Sequence, residues 1–327
     1  MKAKSIRLRT ISLVCTVLLY LSSSSPAFPC TWFRFFSDTK NPFIGRTMEW
    51  PGDLQAEIAL FPRGHSFGTY TTKYGFVGIH HLGSLSDGLN EHGLAVSGLW
   101  LSESKYADKS KAQYHIKELV SFLLGNAKTV DEALKIVEAN QFYTSKMDGK
   151  IEITLHFAIT DASGRSVVVE FIDGKTKVYE NEVGVMTNEP AFDKHLQMWS
   201  AYNPRNFNEN TFEGFDYSPE GRFARMAAFN ATQTKVVTDE AAINRAWSML
   251  NTVDIPQGIL YWRWVSDNPQ FTSYAVVVDI KNRAYYFRTY DNYDIRKVDL
   301  SKIDFSSVKY SSATLFGYVN YQEFKFK

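Results

Sequence analysis

Ala27-Phe28-Pro29-Cys30-Thr31 is the stretch on which the reading of this chain turns. Upstream, Lys2, Lys4, Arg7 and Arg9 make a basic start, and an apolar run follows from Ile11 to Leu21. Ser22 to Ser25 and Ala27 then supply the small residues a signal peptidase accepts, so the segment reads as an export signal. The run is about half the length a helix needs to cross a bilayer, which disfavours a permanent anchor. The cut is expected after Ala27, leaving Phe28-Pro29 as a stub to be removed before Cys30. Pro29 suits a direct cut poorly, and a lipoprotein signal wants small residues where Phe28 and Pro29 stand.

The chain has two cysteines, and Cys15 lies inside the apolar run. A mature chain from Cys30 to Lys327 therefore keeps one thiol and can form no internal disulfide. A lone cysteine in an exported protein is either an intermolecular bridge or a free thiol with a task, unless it is simply buried and inert. Its place just beyond the expected cut favours the task. As an N-terminal residue Cys30 carries an α-amine, with a reference pKa near 8, able to take the thiol proton. No histidine is then required, and the seven histidines form no catalytic or metal pattern. His80 and His81 are adjacent, so on a strand they face opposite ways. No HExxH, CxxC, GxSxG or phosphate-loop pattern occurs, and neither a metal nor an organic cofactor is called for.

Residues 30–327 are within range for one layered domain. The formal net charge of +1 gives no basic field for nucleic acid and none for an anionic membrane. No later segment is long and apolar enough to span a membrane, and no repeat or linker divides the chain. Val167–Ile172 and Thr176–Tyr179, joined by Asp173-Gly174, read as a hairpin, preceded by a strand over Ile151–Thr160. Tyr274–Ile280 and Ala284–Tyr290 read as another. Between the strand regions, helices are expected over Tyr114–Leu124, over Val130–Ala139 behind a Thr129/Glu132 capping box, and over Ala241–Leu250. Sheets with helices packed outside them make an α+β layered domain.

A thiolate needs positive charge nearby. A strand from Thr31, a turn at Asn41-Pro42 and a return through Gly45-Arg46-Thr47-Met48-Glu49-Trp50 brings Arg46 back beside Cys30. Pattern alone leaves Arg46 and Glu49 equally readable as an exposed pair on a hairpin.

The Cys30-Thr31 pair, Gly45-Arg46-Thr47-Met48, Asp87-Gly88-Leu89-Asn90-Glu91-His92-Gly93-Leu94, Met186-Thr187-Asn188-Glu189-Pro190 with Phe192, and Gly221-Arg222-Phe223 together resemble the choloylglycine hydrolase family. That family holds the bile salt hydrolases and penicillin V acylases, among the N-terminal-nucleophile hydrolases. The matches run in order from Cys30 to about Leu300. The resemblance implies a four-layer αββα sandwich and hydrolysis of a linear amide in a small-molecule substrate. It implies Cys30 as nucleophile, Arg46 beside the thiolate, Asn188 in the oxyanion hole and Arg222 as a second active-site arginine. An amide donor so placed stabilises the negative charge that acyl transfer builds on oxygen.

Two departures stand out. Glu49 occupies a position where the family commonly has aspartate, so its bond to the α-amine is expected to shift. Trp100 stands where bile salt hydrolases usually carry asparagine, leaving its backbone N–H as the oxyanion contact. Trp50 and Trp100 together are similar to the Gram-negative penicillin V acylase branch, whose members also cleave acyl-homoserine lactones. Two aromatic walls favour an aryl or long acyl group over a steroid, although tryptophan is also a common core residue. The alternatives are a bile salt hydrolase, a fatty acyl amide hydrolase of the ceramidase kind, and an exported binding protein without turnover. Relatives are often tetramers, and Asn203–Glu220 lies where they carry an assembly segment. Export leaves the periplasm and the extracellular space open.

Overall fold

The computed structural model describes residues 29–147, 149–202, 216–261 and 266–318, with Tyr321, Glu323 and Lys325. The expected leader, apart from Pro29, and positions 203–215 of the expected assembly segment lie outside them.

Among the described residues, strands β1 (Cys30–Phe36), β2 (Pro42–Pro51), β3 (Glu57–Phe61), β4 (Phe76–His81), β5 (Ser84–Asn90) and β6 (Ala95–Trp100) come first. Helices α1 (Leu119–Asn126) and α2 (Val130–Ala139) follow. Then come β7 (Leu155–Thr160), β8 (Ser166–Ile172), β9 (Lys175–Glu180) and β10 (Val185–Met186). Helices α3 (Phe192–Ser200), α4 (Pro219–Ala231) and α5 (Asp239–Asn251) precede β11 (Leu260–Tyr261), β12 (Pro269–Asp279), β13 (Ala284–Thr289), β14 (Asn292–Asp299) and β15 (Ser311–Thr314).

The strands form two antiparallel sheets. One runs β10-β1-β2-β12-β13-β14, with β11 paired to β12; the other runs β9-β8-β7-β6-β5-β4-β3-β15. Helices α4 and α5 cover the first sheet, and α1 and α2 cover the second. The layers are helix, sheet, sheet, helix: the αββα sandwich that the resemblance implies. Because both faces of each sheet are covered, strands read as nearly continuous apolar runs, and neighbouring residues feed different cores. Ala158 and Val168 face the core between the sheets, while Phe157, Ile159, Val167 and Val169 face α1 and α2.

The local chemistry accounts for most element ends. Asp173 and Gly174 both take positive φ, as a two-residue hairpin turn with the native twist demands. Thr129 caps α2, its Oγ1 accepting from Glu132 N at 3.2 Å. The Glu132 side chain reaches back one residue further than expected, to Lys128 N at 2.9 Å. Two segments differ from their sequence reading. Tyr114–His115 is a short strand paired with Phe142–Tyr143, and a 3₁₀ turn over Ile116–Glu118 precedes α1. The strand expected over Ile151–Thr160 is broken, with Ile151–Glu152 pairing to Lys146–Met147 instead. No described helix is long and apolar enough to cross a membrane.

Candidate active site

Cys30 opens β1 and lies opposite Met48 on β2, so the β1–β2 hairpin sets the thiol and the Gly45–Trp50 stretch side by side. Gly45 permits this pairing, because a Cβ there would run into the Phe33 ring. Cys30, Arg46 and Glu49 are all buried, which removes the exposed-pair reading of the latter two. The Met48 sulfur lies 3.9 Å from Cys30 Sγ and 4.0 Å from Arg46 Nη2. A hydrogen bond from the Glu49 backbone also favours the thiolate.

Arg46 crosses from the first sheet to the second. Its Nη1 is ion-paired with Asp87 on β5 and donates to Tyr274 Oη at 2.7 Å; its Nη2 donates to Gly98 O at 3.3 Å. Asp87 also accepts a hydrogen bond from Tyr285, and Tyr274 Oη lies 2.6 Å from Ser86 Oγ. A buried guanidinium is stable only with such partners. Sequence reasoning assigned no role to Ser86, Asp87, Tyr274 or Tyr285. The available signal was a single carboxylate in an otherwise uncharged strand, Ser84–Asn90.

Asn188, in the loop after β10, is fully buried and joins the sheets a second time. Its Oδ1 accepts from Cys30 N at 2.7 Å, and its Nδ2 donates to Trp100 O at 3.0 Å. Arg222, on the first turn of α4 behind the Ser218 cap, donates to Cys30 O, to Thr31 Oγ1 at 2.9 Å and to Asn188 Oδ1 at 2.9 Å. Thus Cys30, Asn188 and Arg222 form one hydrogen-bonded group, with Arg46 on the far side of Met48. Glu49 stands apart. Its Oε1 accepts from Thr272 Oγ1 at 2.6 Å, and the Cys30 N–H goes to Asn188 instead. Burial pushes the Glu49 carboxyl up to about 8, against the pull of Arg222.

The thiol opens on a cavity of about 310 Å³, walled by Trp50, His81, Leu82, Leu99, Trp100, Met147 and Leu155 among others. Both tryptophans named from the sequence therefore line the same space as Cys30. A neighbouring hollow along α3 and α4 contains none of the predicted site residues. His80 and His81 end β4, and only His81 reaches the cavity. No group of three or more His, Cys, Asp or Glu side chains able to hold a metal occurs among the described residues.

With Pro29 still bonded to it, Cys30 is a poor nucleophile. Burial pushes its thiol up to about 11, more than Arg46 pulls it down. At pH 8 roughly one thiol in a thousand is then ionised. Alkylation of Cys30 by iodoacetamide, in protein retaining Pro29, is expected to quicken about tenfold per pH unit from pH 8 to 10. A labelling rate already flat at pH 8 would contradict this.

A family model for linear amide C–N hydrolases of the choloylglycine hydrolase family matches residues 30–313. The penicillin V acylase of Pectobacterium atrosepticum is 30% identical, over 85% of this chain and 79% of its own. A bile salt hydrolase/transferase of Clostridium perfringens is 25% identical, over 83% and 92%. In structure, the penicillin V acylase from Agrobacterium tumefaciens superposes with a TM-score of 0.74 at 29% identity, covering 86% of this chain and 90% of that one. A variant of the conjugated bile acid hydrolase from Clostridium perfringens shares the fold, with a TM-score of 0.77 at 22% identity over 89% and 99%. This chain belongs to the choloylglycine hydrolase family and is an enzyme that hydrolyses linear amide C–N bonds.

Proposed function

We propose that the chain is an exported acylase whose N-terminal cysteine, exposed by removal of residues 1–29, cleaves small amides through a thioester. The observation that carries this reading is the placement of Cys30: it lines an aromatic-walled cavity while Asn188 and Arg222 hold its backbone. Once the Pro29–Cys30 bond is cut, the nitrogen now bonded to Asn188 becomes an amine beside the thiol. That amine accepts the thiol proton, and Arg46 favours the resulting thiolate. Freed from Pro29, it also gives Glu49 a cation to face, in a position where burial alone makes its charge costly.

The thiolate attacks the substrate carbonyl, and the oxyanion is held by the Asn188 amide and the Trp100 backbone N–H. Asn188 Nδ2 donates one hydrogen to Trp100 O and has a second to offer. The proton taken by the α-amine passes to the departing amine. Water then hydrolyses the thioester and restores the thiol. Trp50 and Trp100 favour an aryl or long acyl group, as in the penicillin V acylases and acyl-homoserine lactone acylases. The periplasm or the extracellular space is the expected place of action.

Intact mass and N-terminal sequencing of protein from an export-competent host test the first step. A chain beginning at Cys30 is the expected result. A chain that begins at Phe28 or earlier and hydrolyses no amide would turn the reading towards a binding protein.

A further inference from the structure

The cavity that receives Cys30 is apolar at its walls, yet two cations border it and no carboxylate does among its described lining residues. The cations are Lys117 and Lys146. Lys117 lies in the Ile116–Glu118 turn, where its backbone is pinned on both sides. Its carbonyl accepts from Ser84 Oγ at 2.7 Å, and its N–H donates to His115 Nδ1 at 3.1 Å. Its ammonium sits over the turn at Gly83, 3.8 Å from where a Cβ of that glycine would be. Lys146 lies on the short ribbon Lys146–Met147, next to Ser145, whose Oγ is 2.8 Å from Nε2 of the same His115. Glu152 stands opposite Lys146 in register, and no ion pair among the described residues includes either lysine. The exposed Leu82 shares this border.

We infer that Lys117 and Lys146 select amides that carry an anionic group away from the scissile bond. The inference rests on the acylase reading and narrows it. Cations beside low-dielectric walls attract an anion more strongly than they would on open surface, and they raise its local concentration before any contact is made. An apolar group buried against Trp50 and Trp100, with a carboxylate left at the border, satisfies both parts of the cavity. A neutral amide, such as an acyl-homoserine lactone or a fatty ethanolamide, uses only the first. The anion can sit on the amine that leaves or on the acyl group that stays.

The test compares charged and neutral partners of the same amide. Penicillin V against its methyl ester places the charge on the amine side; a glutaryl anilide against its methyl ester places it on the acyl side. In the wild type, kcat/KM is expected to favour one or both carboxylates, less so as salt rises to about 0.5 M. In Lys117→Gln/Lys146→Gln the carboxylate rate is expected to fall roughly five- to tenfold, the worth of two partly exposed charges, mainly through KM. The ester rate should change less than twofold, and Lys117→Arg/Lys146→Arg should restore the preference. An equal fall for both partners, or none, overturns this inference and leaves the acylase reading standing. Absence of wild-type turnover on all four compounds counts against both.

Discussion

Cys30→Ser is expected to lower kcat/KM for amide hydrolysis by at least about a thousandfold without unfolding the protein. The effect is large because, on the proposed mechanism, the sulfur is the bond-forming atom, and a hydroxyl in its place is a far weaker nucleophile near neutral pH. The substitution is small because the backbone groups of Cys30 are anchored independently of its side chain. Its N–H is held by Asn188, and its carbonyl is held by Arg222. The cavity lining is otherwise unchanged, so substrate binding should persist while turnover disappears. Steady-state kinetics on a substrate of the wild type, beside a thermal melt, decides the matter. Near-wild-type turnover in a processed serine variant would remove Cys30 from the chemistry.

Asp87→Ala is expected to cost about 3–5 kcal/mol of stability, more than most single substitutions. It leaves the Arg46 guanidinium buried opposite nothing of opposite charge, and it strips Tyr285 of the acceptor for its hydroxyl. Tyr285→Phe, which leaves the ion pair in place, should cost only about 1 kcal/mol. Denaturant midpoints of the two variants separate these contributions. A loss below about 1 kcal/mol for Asp87→Ala would mean that Arg46 finds another partner, or that water reaches it.

The contrast between these two residues shows what the sequence discloses and what it hides. The reading of Cys30 rests on local signals: a basic start, an apolar run, small residues and a thiol just beyond them lie within one short segment. The Asp173-Gly174 hairpin and the Thr129 cap were legible for the same reason, since turn and cap chemistry involve residues two or three apart. The hairpin path set Arg46 beside Cys30, Asn188 and Arg222 came from resemblance, and only the structure gives all three their contacts. The bonds from Tyr285 to Asp87 and from Arg222 to Cys30 join residues 198 and 192 positions apart, a spacing that no local pattern records. The start of α1 was misread because Tyr114-His115 looks helical by periodicity but is drawn into a strand by Phe142 and Tyr143. Glu49 is the reverse case. Its charge suggested solvent, while its place on a strand covered on both faces buries it.

Several polar ties span the gap between the sheets, among them Arg46 to Asp87 and Gly98, Tyr285 to Asp87, Tyr274 to Ser86, and Asn188 from Cys30 to Trp100. On the proposed mechanism, the distance from Cys30 to Asn188 and Trp100 then depends on the spacing of the two sheets. Residues that fill that gap without lining the cavity, such as Ala158 and Val168, would then act as spacers for that geometry. Added bulk at these positions would tend to pry the jaws apart, and a deletion would let them settle. On that mechanism the catalytic alignment would be a mechanical property of the whole slab, open to tuning from positions outside the cavity.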